Sequence, residues 1–221
     1  MNFKVIFEDN HIIVVEKQPN VLVQADKSGD KDMLTIIKEY LKEKYNKPGN
    51  VYLGLVHRLD RPVGGIMVFA KTSKAASRLS EQIRKNEFKK IYLTVVNGKM
   101  EKQKDTLENY LFKNEDATTC VVNSDTKGAK YAKLDYEVIS YNDEKNVTLL
   151  KINLHTGRHH QIRVQLSNIG HTIYGDQRYG NISQERKQIA LWANKIIFKH
   201  PTKDEIMELE SIPQKIGIWN M

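Results

Sequence analysis

The sequence predicts an α+β protein with a mixed, largely antiparallel central sheet flanked by helices and loops. Three observations carry that reading. Short apolar runs of strand character outnumber helical stretches. Most neighbouring runs are joined by short turns, which suits antiparallel pairing. Helical spacing appears in three places, each with its own start or stop signal.

Taken in order, Phe3 to Phe7 and His11 to Glu16 read as two strands around the turn Glu8-Asp9-Asn10. Gln18-Pro19-Asn20 breaks the pattern, and Val21-Leu22-Val23 resumes it. Asp32 can cap a helix carrying Leu34, Ile37 and Leu41, which Lys47-Pro48-Gly49-Asn50 then ends. Val51 to Val56 and Ile66 to Ala70 read as strands on either side of His57 to Gly65. Thr72 or Ser73 can cap a second helix, with Ala75, Leu79 and Ile83 on one face. Lys89 to Val96 reads as a strand that stops at Asn97-Gly98, a turn signal. Lys99 to Asp105 is charged and reads as a surface connection. Asp135 to Ser140 and Val147 to Leu154 suggest a hairpin. From Arg158 the period becomes helical, with Ile162, Leu166 and Ile169 on one face and Gly170 as a stop. A loop from His171 to Gly180 follows. Ile189 to Phe198 and Glu205 to Leu209 suggest a final hairpin.

The length of 221 residues fits one domain, spanning 1–221, with a sizeable core. Apolar residues make up 40% and charged residues 28%, which excludes a disordered chain. The formal charge of +8 favours polyanionic partners, nucleic acid first. A lone cysteine, Cys120, excludes a disulfide framework and suits a reducing cytoplasm. No apolar stretch approaches the ~18 residues of a membrane span, and the N-terminus shows no signal-peptide pattern.

Three segments carry candidate chemistry. In His57-Arg58-Leu59-Asp60-Arg61-Pro62-Val63-Gly64-Gly65 two arginines flank one aspartate, and the proline and glycine pair imply a tight turn. A carboxylate entering a partly dry pocket tends to take up a proton, whereas nearby guanidinium groups hold it ionised and nucleophilic. An aspartate that merely starts a turn and pairs with an arginine fits the same residues. The second segment, Leu154-His155-Thr156-Gly157-Arg158-His159-His160-Gln161-Ile162-Arg163, puts Arg158, His160 and Gln161 at a helix start, where free amides suit phosphate. Its three histidines invite a zinc reading. The Cys and Glu partners a zinc site needs are missing nearby, and adjacent histidines point different ways. In the third, Phe88-Lys89-Lys90-Ile91-Tyr92-Leu93, strand alternation turns Tyr92 away from Ile91 and Leu93. An aromatic ring among lysines could stack on a base, or simply lie half-buried with its hydroxyl at the surface.

Together these segments resemble the RluA-type pseudouridine synthase family. Ile6-Phe7-Glu8-Asp9 with Ile12 to Lys17 is similar to its opening strand pair. His57-Arg58-Leu59-Asp60 with Gly65 is similar to its catalytic motif, and Lys90-Ile91-Tyr92 to its tyrosine motif. Thr156 to Arg163, followed by Gly170-His171 and Gly175-Asp176, is similar to its third motif. Several motifs in order are far more specific than any one. Where many members carry Thr-Ser before the final glycine of the first motif, this chain has Val63-Gly64, which implies altered turn packing.

The resemblance implies a stand-alone catalytic domain without the S4-type RNA-binding module, acting as a monomer on ribosomal or transfer RNA, with no cofactor and no metal. It implies Asp60 as the catalytic carboxylate, attacking the sugar C1′, abstracting a sugar proton to give a glycal, or attacking C6 of the base. Tyr92 would stack on the uracil and Arg158 would pair with Asp60. Arg58 would fill the space left by a flipped-out uridine, beside His57, and Arg163, His160 and Gln161 would meet RNA. Two rivals remain at this point: a non-catalytic RNA-binding protein on the same fold, and a metal-dependent phosphohydrolase.

Overall fold

The computed structural model describes residues 3–180 and 187–220. In chain order its elements are β1 (Phe3–Glu8), β2 (Ile12–Lys17), α1 (Met33–Lys44), β3 (Gly54–Leu55), β4 (Gly64–Ala70), α2 (Ser73–Arg84), β5 (Lys89–Asn97) and β6 (Lys104–Lys113). They continue with β7 (Thr119–Val122), β8 (Lys130–Asn142), β9 (Val147–Leu154), α3 (Gln161–Asn168), β10 (Leu191–Lys199), β11 (Ile206–Glu210) and a 3-10 turn at Gly217–Trp219. The chain divides into two compact units, residues 1–89 with 193–212 and residues 90–192 with 213–221.

In the first unit β1, β2 and β4 form an antiparallel run, and β10 pairs with β11. Ile12 to Val15 and Ile66 to Ala70 are wholly buried, so these strands read as unbroken apolar runs rather than alternating ones. Both helices start as their sequences imply. The Asp32 side chain accepts from the Thr35 amide, and the Thr72 hydroxyl accepts from the Ala75 amide. α1 buries Met33, Ile37 and Leu41, while Leu34 is only half-buried. α2 buries Ala75 and Leu79, and the Gln82 side-chain amide exchanges two 2.8 Å hydrogen bonds with the Lys199 backbone on β10.

The second unit is an antiparallel sheet in the order β5-β9-β8-β6-β7. Its inner face carries Leu107, Leu111, Ala132, Leu134, Ile152 and Leu154, all buried. α3 lies against β6 and β7, with Val164 packed on Leu111 and Ala132. The opposite face turns Tyr110, Tyr131 and Glu108 outward.

Several elements depart from expectation. β3 keeps two residues of the expected Val51–Val56 strand, and Leu22 forms a single parallel bridge to Asp32 rather than a strand. β6 and β7 are not expected at all, and β6 includes Lys104 and Asp105, read above as surface connection. β8 begins at Lys130, five residues before Asp135. Ile169 is the C-cap of α3 and 37% exposed rather than part of its buried face.

Candidate active site

The loop from Val56 to Val63 joins β3 to β4 and carries Asp60. Its packing anchors are Leu59 and Val63, 7% and 1% exposed. Asp60 between them is half-buried, and Arg58 and Arg61 are exposed. The Val63 amide donates to the Asp60 carbonyl at 3.0 Å, closing a turn through Arg61 and Pro62. His57 points inward. Its Nε2 accepts from the Val68 amide at 3.1 Å, continuing the bonding of β4 past the end of β3, and its ring leans on Phe88.

Gly65 fixes where the loop re-enters the sheet. Its φ is +120°, and a Cβ there would fall 2.2 Å from the Ala193 carbonyl oxygen. Only glycine tolerates that approach.

Beneath the loop lies Lys17, the last residue of β2 and 0% exposed. Its Nζ donates to the carbonyls of Gln18, Val21 and Arg61 at 3.0, 2.8 and 3.0 Å. Three acceptors match the three N–H bonds of an ammonium. Burial pulls the amine down, the Asp60 carboxylate pulls it partly back up and Arg61 pushes it down, leaving it at about 7. The neighbouring strap is doubly tied as well. The Asn20 amide donates to the Arg61 carbonyl at 2.8 Å, and the Arg61 guanidinium reaches Asp30 at 2.5 Å. Lys17 thus joins three backbone segments around the residue that follows Asp60.

In the second unit Tyr92 faces away from Ile91 and Leu93, as strand alternation requires. It is 7% exposed, on the inner face of the sheet rather than out among lysines. The segment 155–160 leads from β9 into α3. Gln161, buried, organises it. Its Oε1 accepts from the Thr156 hydroxyl at 2.8 Å and the Arg158 amide at 3.0 Å. Its Nε2 donates to the Lys133 carbonyl and to Gln165. The Arg158 side chain is exposed, held by one bond from Nε to the Tyr131 carbonyl at 2.8 Å. Lys90 lies within 3.3 Å of where a Cβ on Gly157 would sit. Its amine is lowered by burial first and by Arg158 second.

Arg163 and His160 are tied inward. Arg163 forms a buried bidentate pair with Asp176, both contacts 2.8 Å, and its guanidinium lies over the Tyr179 ring. The arginine holds the Asp176 carboxyl down against the upward pull of burial. The His160 Nδ1 meets the Tyr179 hydroxyl at 2.8 Å, and its ring packs 3.7 Å from that of His159.

Residues 11–168 match the family described as RNA pseudouridylate synthase, and they include the Asp60 loop, Tyr92 and the Arg158 segment. The chain belongs to this family. Its members isomerise uridine, so the chemistry is an isomerisation. Among curated relatives, an uncharacterized RNA pseudouridine synthase of Bacillus subtilis is 30% identical over 207 residues, covering 94% of this chain and 67% of the relative. One from Aquifex aeolicus is 32% identical over 217 residues, covering 93% and 68%. A ribosomal large subunit pseudouridine synthase D of Zymomonas mobilis is 29% identical over 227 residues, covering 97% and 71%. The chain thus spans about two thirds of the length of such relatives. Among solved structures, human RNA pseudouridylate synthase domain containing 4 aligns with a TM-score of 0.78 at 20% identity, over 95% of this chain and 88% of that one. Human domain containing 1 aligns with a TM-score of 0.76 at 23% identity, over 97% and 85%. At those identities the likeness establishes the fold: the mixed, largely antiparallel α+β architecture of the pseudouridine synthases.

Of the residues singled out from sequence, Arg58 and Arg158 present exposed cationic heads, and Asp60 is half-buried in its own loop. His57, Gln161 and Arg163 have their polar atoms turned to internal hydrogen bonds. Lys17 was not singled out as a site residue, although it closes a strand in which Ile13 and Val15 are also buried. A lysine two places along from buried positions is the sequence signal for it. Among the described residues no cluster of His, Cys, Asp and Glu could hold a metal ion, and no helix is long and apolar enough to cross a membrane.

Proposed function

We propose that this chain is an RNA pseudouridine synthase acting on uridines of ribosomal or transfer RNA, with Asp60 as the catalytic carboxylate. The supporting observation is the family match across the Asp60 loop, together with the way that loop is built. Buried Leu59 and Val63, the Asp60–Val63 turn and the Lys17 tie fix its backbone, while the charged side chains of Arg58 and Arg61 stay exposed. A name such as that of the Zymomonas mobilis relative favours large-subunit ribosomal RNA as the first substrate to try.

The reaction breaks the N1–C1′ bond, turns the base, and forms C5–C1′. The C5 proton leaves and N1 regains one, so no oxidant or second substrate is needed. Asp60 serves by attack on C1′, by taking a sugar proton to give a glycal, or by attack on C6. Tyr92 packs on the uracil, and Arg158 orients the carboxylate. Arg58 occupies the stack vacated by the flipped uridine, whose extrusion costs a few kcal/mol. His57, Gln161, His160 and Arg163 support RNA binding by holding the loops that present these groups. The chain works as one catalytic domain, as a cytoplasmic monomer, without cofactor.

The test is tritium release from C5-labelled uridine in RNA. The wild-type protein releases tritium, and Asp60→Asn, folded as judged by circular dichroism, releases none. Activity in folded Asp60→Asn overturns the assignment of Asp60.

A further inference from the structure

The outward face of the second unit's sheet carries a row of side chains that the mechanism does not use. Tyr110 on β6 stands directly opposite Tyr131 on β8, followed by the pairs Glu108–Lys133 and Thr106–Asp135. The two rings meet edge-on, with centroids 5.8 Å apart, and are 38% and 39% exposed. Both acidic groups in the row are answered by neighbours. Glu108 takes the Lys133 ammonium at 2.7 Å and the Tyr131 hydroxyl. Asp135 takes His155 Nε2 at 2.6 Å and the Thr106 hydroxyl at 2.9 Å. What remains exposed is part of each tyrosine ring and of the His155 ring, whose Nδ1 has no partner among the described residues. The row ends beside the exposed Arg158, whose Nε is bonded to the Tyr131 carbonyl.

We propose that this face is a docking surface for single-stranded RNA next to the modified nucleotide, with bases stacking on Tyr110 and Tyr131 and His155 meeting phosphate or sugar. The proposal rests on the synthase reading above. Aromatic rings fixed among cationic and donor groups are the platform that unpaired bases use, because every base offers a π-face. A duplex hides those faces and would leave the rings unused. A protein partner favours an interface core depleted of charge, whereas here the Tyr131 hydroxyl is bonded to Glu108 and the next cross-strand pair is Glu108–Lys133. The charge is also compatible: Glu108 is paired with the Lys133 ammonium, Asp135 is hydrogen-bonded to His155 and Thr106, and the chain carries a formal +8. Continuity with Arg158 gives the surface its purpose. A strand laid on the two rings enters the site from a fixed direction.

The test pairs two readouts on the full chain. Anisotropy of a short fluorescein-labelled oligouridylate measures affinity, and tritium release from a ribosomal RNA transcript measures the reaction. The double variant Tyr110→Ala/Tyr131→Ala should bind the oligouridylate about ten-fold or more weakly and show a raised KM on the transcript. Tyr110→Phe/Tyr131→Phe, which keeps the rings, should bind within about two-fold of wild type. Wild-type affinity in the folded alanine double variant overturns the docking surface while leaving the synthase reading intact. Wild-type protein that releases no tritium from either ribosomal or transfer RNA overturns both.

Discussion

Lys17→Met is the most informative change in the fold, because it separates charge from shape. The wild-type amine is fully buried with a folded-state value of about 7, against about 10.4 for an exposed lysine. The folded value lies below the unfolded one, so between those pH values the unfolded chain holds one more proton. Stability therefore rises with pH across that window, by up to about 1.4 kcal/mol per pH unit, and is flat below it as far as this group is concerned. From pH 7 to pH 9 the gain integrates to about 2 kcal/mol. Methionine has a similar length and no titration. It also leaves the carbonyls of Gln18, Val21 and Arg61 without this donor, at about 1–3 kcal/mol for each that water does not reach. Urea unfolding of both proteins at pH 7 and pH 9 should then show Lys17→Met less stable at each pH, with the gap wider at pH 9 by about 2 kcal/mol. Other titrating groups are common to both proteins and cancel. An equal gap at the two pH values refutes the reasoning, because it means the amine keeps its proton throughout. Since the Asp60 carboxylate pulls the lysine upward, Asp60→Asn should move the onset of the wild-type rise to lower pH.

Three further outcomes follow from the geometry. Gly65→Ala places a methyl 2.2 Å from the Ala193 carbonyl at φ +120°, and should lower stability by about 3 kcal/mol or more in chemical denaturation. Asp176→Ala removes the carboxylate paired bidentately with the buried Arg163 guanidinium and should cost about 3–5 kcal/mol at neutral pH. Because the Asp176 carboxyl is depressed in the fold, its contribution is present above the ordinary aspartate range and fades as pH falls through the folded value, so wild type and variant should converge in acid. Arg158→Ala removes an exposed head held by a single carbonyl bond, so melting should barely change, while tritium release falls by about two orders of magnitude or more. A loss under about five-fold would reduce Arg158 to a surface residue.

Which parts were legible from sequence follows from how far apart the interacting residues lie. The caps at Asp32 and Thr72 were readable because each is a polar residue directly before helical apolar spacing. The strand pair β1–β2, the hairpin β8–β9 and the pair β10–β11 were readable because turn residues separate unbroken strand patterns. β6 was not. Along Lys104 to Lys113 only Leu107 and Leu111 are buried, and they fall four residues apart, a spacing that fits a helix as well as a strand. Only pairing with β8 decides it. The Asp60 loop was legible as a constellation but not as a geometry. Nothing local announces that Lys17, forty-four residues before Arg61, donates to its carbonyl. Arg163 was legible as a basic residue in a basic segment, but its partner was not: Asp176, thirteen residues on, forms a buried bidentate pair with it.

Three sets of buried polar groups share one placement. Lys17 sits under the Asp60 loop, Gln161 under the Arg158 segment, and the Arg163–Asp176 pair under the loop that follows α3. Each joins a backbone carbonyl, amide or carboxylate at the root of a loop and leaves an exposed head above it. Burying such groups is unfavourable unless every donor and acceptor is met, and an apolar substitute would pack more simply. Apolar packing alone, however, holds a loop to a surface without fixing its direction, whereas a lysine with three carbonyl acceptors defines one arrangement. An isomerase that detaches a base and must recapture it at a different atom needs its carboxylate and cations held to fractions of an ångström through both halves of the reaction. The cost in stability at Lys17 is therefore placed where rigidity serves the chemistry. It follows that the most destabilising single groups in this fold should lie beneath the loops that carry its most consequential side chains, and not at random through the core.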